Sequence, residues 1–383
     1  MTIAPDRPIR ILQVVGGMNR AGVETWLLNV LRHIDRQRFQ MDFLVHTDQP
    51  CAYDDEVRAL GSRIIPCLHP SRPWQYARSL RRILREYGPY DVVHSHVHHY
   101  SGWVLRAADR AEVPIRIAHS HNDTNSLQDG ASALRRIYLR LTERWIAQHA
   151  TVGLACSRPA ATALYGPRWT DDERFHLLHC GIDLAPFRKA AGDGAALLRA
   201  ELGLPKGAQV IGHVGRFHPQ KNHTFIVNVF AEAARREPRA HLLLVGDGPL
   251  RPDVDRQARH LGLADRVTFA GLRDDVPRLM LGAMDALLMP SRWEGLPVTL
   301  LEAQAAGLPC VISDVIADEA DVVPELVHRL ALQQPPDAWA EAVLACAGDR
   351  PITQTEALAR IERSDFSIPV SVMDLEVLYG SGQ

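Results

Sequence analysis

Two glutamates eight residues apart, Glu294 and Glu302 in "SRWEGLPVTLLEAQAAGLP" (Ser291–Pro309), are the first candidates for chemistry. A helix is expected to begin between them, and the free backbone N–H groups of a helix start already favour an anion. Two carboxylates can form a general acid/base pair, or they can accept hydrogen bonds from hydroxyls. They can also be no more than a cap and a surface charge. If an anion sits at Gly295, Leu296 and Pro297, the N–H groups of residues 296 to 299 would face it. The glutamates would then be left for a sugar: one for a ring hydroxyl, one for a ribose hydroxyl.

Other stretches supply what such a ligand needs. "GRFHPQKNH" begins at Gly215 and sets Arg216 and Lys221 five residues apart around Pro219, with Asn222 expected to cap the next helix. A guanidinium and an ammonium in one loop neutralise a diphosphate; otherwise they are two solvated cations. "LLLVGDGPL" ends an apolar run with Gly246, which is a turn signal or a place where backbone approaches a nucleotide. "VVGGMNRAGVE" puts Gly16 and Gly17 after an apolar run and Gly22 at a helix start, a loop that can face a ligand. A nicotinamide fingerprint is not met: Asp42 falls at the right distance, but the glycine spacing is wrong.

Histidines cluster in "YDVVHSHVHHY" (His94, His96, His98, His99) and "IRIAHSHND" (His119, His121). Such a cluster can bind metal, yet no cysteine or carboxylate is interleaved with the first run and only Asp123 is near the second. His96 reads as a packing residue, and one of His119 and His121, at a strand's end, as a substrate contact.

These residues need elements to hold them. Short apolar runs alternate with amphipathic stretches along the whole chain, the pattern of βα units around parallel sheets. The first series comprises "IRILQVV", "MDFLVH", "SRIIP", "YDVVHSH", "IRIAHS" and "VGLACS". The second comprises "AQVIGHVGR", "AHLLLVGDG", "DRVTFAG", "MDALLMPS" and "GLPCVISD". An Ala-, Gly- and Pro-rich stretch near residues 184–207 reads as the linker. The expectation is two doubly wound α/β domains facing a central cleft, with ligands at the carboxyl ends of the strands.

The chain has 383 residues, 46% hydrophobic and 23% charged, which suits two soluble domains. A formal net charge of −2 recruits neither nucleic acid nor an anionic membrane as a whole. Six cysteines without a C-x-x-C pair read as reduced thiols, and no apolar run nears the ~20 residues of a membrane span. The expected location is the cytoplasm.

With "EGLPVTLLE", "GRFHPQKN", "GDGP", "AGLRDDV", "GGMNRAGVE" and "HCGID" assembled, the chain resembles glycosyltransferase family 4, of the GT-B fold. The resemblance implies three parts: an acceptor domain over 1–190, a nucleotide-sugar domain over 191–365, and a tail over 366–383 that returns to the first domain. It implies retaining, metal-independent transfer of a hexose, with no cofactor beyond the nucleotide-sugar donor, a UDP-sugar favoured. Arg216 and Lys221 would bind the diphosphate, Glu294 the donor sugar and Glu302 the ribose, while Leu272 would sit at the base. His119, favoured over His121, would assist catalysis.

The implied setting is bacterial exopolysaccharide, capsule or O-antigen synthesis, with a glycan or polyprenyl-linked acceptor. "YARSLRRILREYG" and "ALRRIYLRLTERW" are basic amphipathic stretches suited to peripheral contact with the inner membrane, or are ordinary solvated faces. Two other functions fit the same residues: a GT-B-fold UDP-sugar epimerase, and a non-enzymatic nucleotide-sugar-binding protein. The segment "IADEADVVPELVHRLAL" departs from the family's glycine-rich pattern after "VISDV".

Overall fold

The computed structural model describes residues 7–68, 70–122, 132–189 and 194–381. The chain forms two compact units. One runs to Gly181 and resumes at Ile368; the other spans Ile182–Ser367.

The first unit is built on parallel strands β1 (Ile9–Val15), β2 (Phe39–Val45), β3 (Ile64–Pro66), β4 (Val92–Ser95), β5 (Ile115–Ser120), β6 (Val152–Ala155) and β7 (Phe175–Leu177). Their order is β3-β2-β1-β4-β5-β6-β7. In β1 every residue but Arg10 is buried. Helices cover both faces of such a sheet, so its central strands read as continuous apolar runs rather than alternating ones. The strand order reverses between β1 and β4, and the loops leaving those strands begin at Gly16 and His96.

The second unit repeats the plan with β8 (Gln209–Val214), β9 (Ala240–Val245), β10 (Val267–Gly271), β11 (Ala286–Met289), β12 (Cys310–Ser313) and β13 (Val327–Leu330). Their order is β10-β9-β8-β11-β12-β13, all parallel. The reversal lies between β8 and β11. In doubly wound sheets that is the crevice where ligands bind.

Two strands, β7 and β13, have no counterpart in the apolar runs. Both are edge strands with half-exposed residues, so neither carries a buried run to betray it. The linker expected near residues 184–207 is instead part of the second unit. Helices Ala185–Lys189 and Ala195–Glu201 lie there, and Leu184, Phe187, Leu198 and Leu204 join the unit's core. The chain passes between units at Gly181/Ile182 and again at Ser367/Ile368, against the 190/191 and 365/366 boundaries drawn from sequence.

The helix Ile368–Gly380 belongs to the first unit. Ile368, Ser371, Val372, Leu375 and Tyr379 recur at helical spacing and are buried. It packs on the helix Gly22–His33, where the Trp26 indole N–H donates to Ser371 Oγ at 2.9 Å.

Candidate functional site

In the second unit, the loops after β8 and β11 are laced together. The Arg292 N–H donates to the Gln220 carbonyl at 2.8 Å, and the Gln220 amide returns a bond to the Trp293 carbonyl at 3.0 Å. Asn222 was expected to cap the following helix. It holds a left-handed backbone (φ 56°) and makes no side-chain cap; its amide instead donates to the Pro290 carbonyl at 3.2 Å. The loop therefore ties to its neighbour rather than to its own helix.

Lys221 and Glu294 meet inside this lacing. Lys221 Nζ lies 2.6 Å from Glu294 Oε1, with side chains 17% and 6% exposed. The second oxygen, Oε2, accepts from Gln220 Nε2 at 3.1 Å. Sequence reasoning assigned Lys221 to a diphosphate and Glu294 to a sugar; the structure joins them as a pair. Gln220 was missed, and its only signal was its position inside "HPQKN". Arg216, by contrast, is exposed and has no ion pair among the described residues.

Glu302 lies in the helix Val298–Ala305. Burial pushes its carboxyl up to about 7, although the residue keeps some solvent contact. Between the two glutamates, Gly295 and Pro297 are buried and Leu296 is half-buried. The run of helix-start donors is shorter than expected. Pro297 has no N–H, and the Val298 N–H goes to the Leu296 carbonyl at 3.0 Å. The donors left are those of Leu296 and Thr299.

Gly246 follows β9 at φ 130°. A Cβ there would stand 2.2 Å from the Gly215 carbonyl oxygen, so the glycine lets the two strand-end loops touch. Its requirement is this backbone contact. Gly215 itself packs between His213 and Lys221. Leu272 is 59% exposed in the turn after β10. His213 and His223 are buried beside Lys221; burial lowers them to about 4 and about 2.

In the first unit, Gly16 is exposed with open space around it, whereas Gly17 is buried against Thr47 and Cys51. His94, His96, His119 and His121 form a contiguous set around Trp26, His119 being fully buried and His121 8% exposed. Burial holds His94, His96 and His119 well below the usual imidazole range and His121 at about 3, so all four are neutral. Among the described residues, His94, His96 and His119 are the one group placed to bind a metal, with ligand atoms within 4.8 Å of one another. Asp123, the nearest acid by sequence, lies outside the described residues.

Residues 20–186 match the model of glycosyltransferase family 4, and residues 208–349 match that of group 1 glycosyl transferases. The chain is 41% identical over 345 residues to EpsF of Bacillus subtilis (strain 168), provisionally named a glycosyltransferase; the match covers 89% of each chain. It is 27% identical over 360 residues to an Escherichia coli UDP-Gal:α-D-GlcNAc-diphosphoundecaprenol α-1,3-galactosyltransferase, covering 89% of this chain and 87% of that protein. Among solved structures, Anabaena HepE in complex with UDP and glucose aligns with a TM-score of 0.81 at 20% identity, over 97% of this chain and 100% of HepE. That likeness identifies the two parallel-sheet α/β units as the GT-B fold. The chain belongs to glycosyltransferase family 4.

Proposed function

We propose that this enzyme moves a hexose from a UDP-sugar to a lipid-linked glycan in bacterial exopolysaccharide or lipopolysaccharide synthesis, with retained anomeric configuration and without metal. The observation that carries the reading is the laced pair of loops at the switch point of the second sheet. Lys221, Glu294 and Gln220 are joined there, Arg216 is exposed in the same loop without an ion pair among the described residues, and Glu302 lies in the helix that follows.

The chemistry follows from those groups. Negative charge grows on the diphosphate as the sugar leaves, and Arg216, Lys221 and the N–H groups of Leu296 and Thr299 would stabilise it. Each such donor contributes on the order of 3 kcal/mol to the barrier. Fixed cations in that role make a bridging metal unnecessary. Glu294 would take a sugar hydroxyl, Glu302 the ribose, and the exposed Leu272 would cover the base. Gly16 and His119 would act from the first unit.

The E. coli relative's name specifies a UDP-sugar donor and an undecaprenyl diphosphate acceptor, and the solved Anabaena neighbour holds UDP and glucose. A lipid-linked acceptor also suits the first unit's surface. On the helix Ala133–His149, Leu134, Ile137 and Leu141 are exposed at helical spacing beside Arg135, Arg136, Arg140 and Arg144. Trp74, 74% exposed, adds an aromatic anchor on the helix Pro73–Tyr87, near exposed Arg78, Arg81, Arg82 and Arg85. Apolar residues among arginines bind an anionic membrane surface, here from the cytoplasmic side.

The test is product analysis by mass spectrometry with UDP-hexoses, with and without a polyprenyl-diphosphate sugar acceptor and with and without EDTA. A disaccharide-lipid formed in EDTA supports the reading. An altered sugar nucleotide formed without acceptor would assign an epimerase. Tight UDP-sugar binding with no turnover on any acceptor would assign a binding protein.

A further inference from the structure

The histidines of the first unit are joined end to end. The Cys180 sulfur lies 3.5 Å from His121 Nδ1, and His121 Nε2 lies 2.8 Å from His96 Nδ1. His96 Nε2 is 2.8 Å from Gln13 Oε1, and Gln13 Nε2 is 3.1 Å from the Tyr379 hydroxyl. That hydroxyl is 2.8 Å from His94 Nδ1, and His94 Nε2 is 3.2 Å from His119 Nδ1. His119 Nε2, at the end, makes no hydrogen bond among the described residues.

One residue sets the direction of every proton. An amide oxygen only accepts and an amide nitrogen only donates. Gln13 Nε2 also faces the Met41 sulfur at 3.8 Å, a weak acceptor that suits the NH2 end of the amide. His96 must then carry its proton on Nε2 and accept at Nδ1 from the His121 Nε2–H. His121 Nδ1 accepts from the Cys180 thiol. On the other side, the Tyr379 hydroxyl accepts from Gln13 and donates to His94 Nδ1. The His94 Nε2–H points to His119 Nδ1, so the last proton rests on His119 Nε2. The Leu178 backbone also favours a proton on that ring.

We propose that Gln13 and Tyr379 are positioning residues, which hold all four imidazoles as neutral Nε2–H tautomers and present His119 as a hydrogen-bond donor rather than a base. The proposal rests on the transferase reading only for the ligand oxygen that His119 would meet. A buried N–H whose acceptor is poorly placed gains on meeting a better one, so a ligand oxygen that reached this atom would be held by it. A metal at His94, His96 and His119 is the competing arrangement. It would need lone pairs that this chain commits to hydrogen bonds, including the one between His94 and His119.

The test is imidazole nitrogen NMR on the full chain labelled with 15N-histidine, each ring assigned by a single substitution. The expected result is four buried rings with protonated Nε2 and bare Nδ1. Tyr379→Phe keeps the aromatic packing but frees His94 Nδ1. It should put His94 and His119 into a mixture of tautomers while His96 and His121 stay fixed. In transfer assays the same variant should lose about tenfold in kcat with the donor KM unchanged.

Wild-type rings protonated at Nδ1, or already mixed, overturn the proposal. So do histidine resonances that move on adding Zn2+, which assign a metal site instead. An unchanged kcat in Tyr379→Phe, or a loss matched by lowered thermal stability, removes the positioning role. If no transfer is found even for wild type, the transferase reading fails while the tautomer result stands separately.

Discussion

The binding of a UDP-sugar should weaken as pH falls, and Glu302→Gln should abolish that dependence. Burial raises the Glu302 carboxyl from its ordinary 4.5 to about 7. A ribose hydroxyl that donates to this group needs the charged form. At pH 8 about nine-tenths of the molecules have it, and at pH 6 about one-tenth, for a carboxyl near 7. The dissociation constant should therefore rise about tenfold from pH 8 to pH 6, or about 1.4 kcal/mol. A UDP-hexose has no group of its own titrating there, so the dependence belongs to the protein. Calorimetry at pH 6 in buffers of different ionisation enthalpy should register close to one proton released on binding.

The same shift acts on stability with a definite sign. A folded carboxyl pKa above the unfolded value means the folded state binds more protons between the two. Stability is then lost as pH rises from about 4.5 to about 7. The difference between wild type and Glu302→Gln should grow over that window to at most about 3 kcal/mol, less for the solvent contact the carboxyl keeps. A wild-type affinity that stays flat from pH 8 to pH 6 while the protein remains folded would refute the assignment. An equal slope in Glu302→Gln would do the same.

Further outcomes follow from the same site. Arg216→Ala should lower transfer by ~100- to 1,000-fold with stability changed by no more than about 0.5 kcal/mol, since the exposed guanidinium has no ion pair among the described residues; kinetics and urea unfolding check both. Lys221→Met leaves the buried Glu294 carboxylate without its cation and should cost about 3 kcal/mol, much of it recovered in the double variant with Glu294→Gln. Gly246→Ala forces a Cβ against the Gly215 carbonyl and should destabilise by on the order of 3 kcal/mol, with UDP-sugar binding weakened in parallel. Ile137→Glu with Leu141→Glu should release the protein from anionic vesicles without lowering the melting temperature, because both side chains are exposed.

How much of this was legible in the sequence depended on burial. The central strands announced themselves because parallel sheets are covered on both faces, so "IRILQVV" and "AHLLLV" could hardly be anything else. Edge strands β7 and β13 carry no such run, and "VHRL" passed for part of a divergent segment. Glu294, Glu302, Arg216 and Lys221 were found through residue type and spacing. What their spacing could not disclose was the pairing of Lys221 with Glu294 through loops leaving β8 and β11, which are neighbours only in the folded sheet. Asn222 misled for a related reason: cap chemistry is local, whereas its actual partner, Pro290, is remote in the chain. The histidine chain was further out of reach. His94 and His119 are legible as a cluster, but Gln13 and Tyr379 are ordinary core residues until β1 and the helix Ile368–Gly380 are brought together.

That helix also fixes an order of events during synthesis. The first unit lacks the element that covers Trp26 and supplies Tyr379 until the whole of Ile182–Ser367 has been translated. At ~5–20 residues per second, that interval is roughly ten to forty seconds. The second unit has all its elements before that helix is made and can fold on the ribosome while the earlier sheet waits with an apolar groove open. An enzyme with this connectivity reaches maturity from its middle outward, so its N-terminal half is the part most in need of a chaperone's cover during that wait.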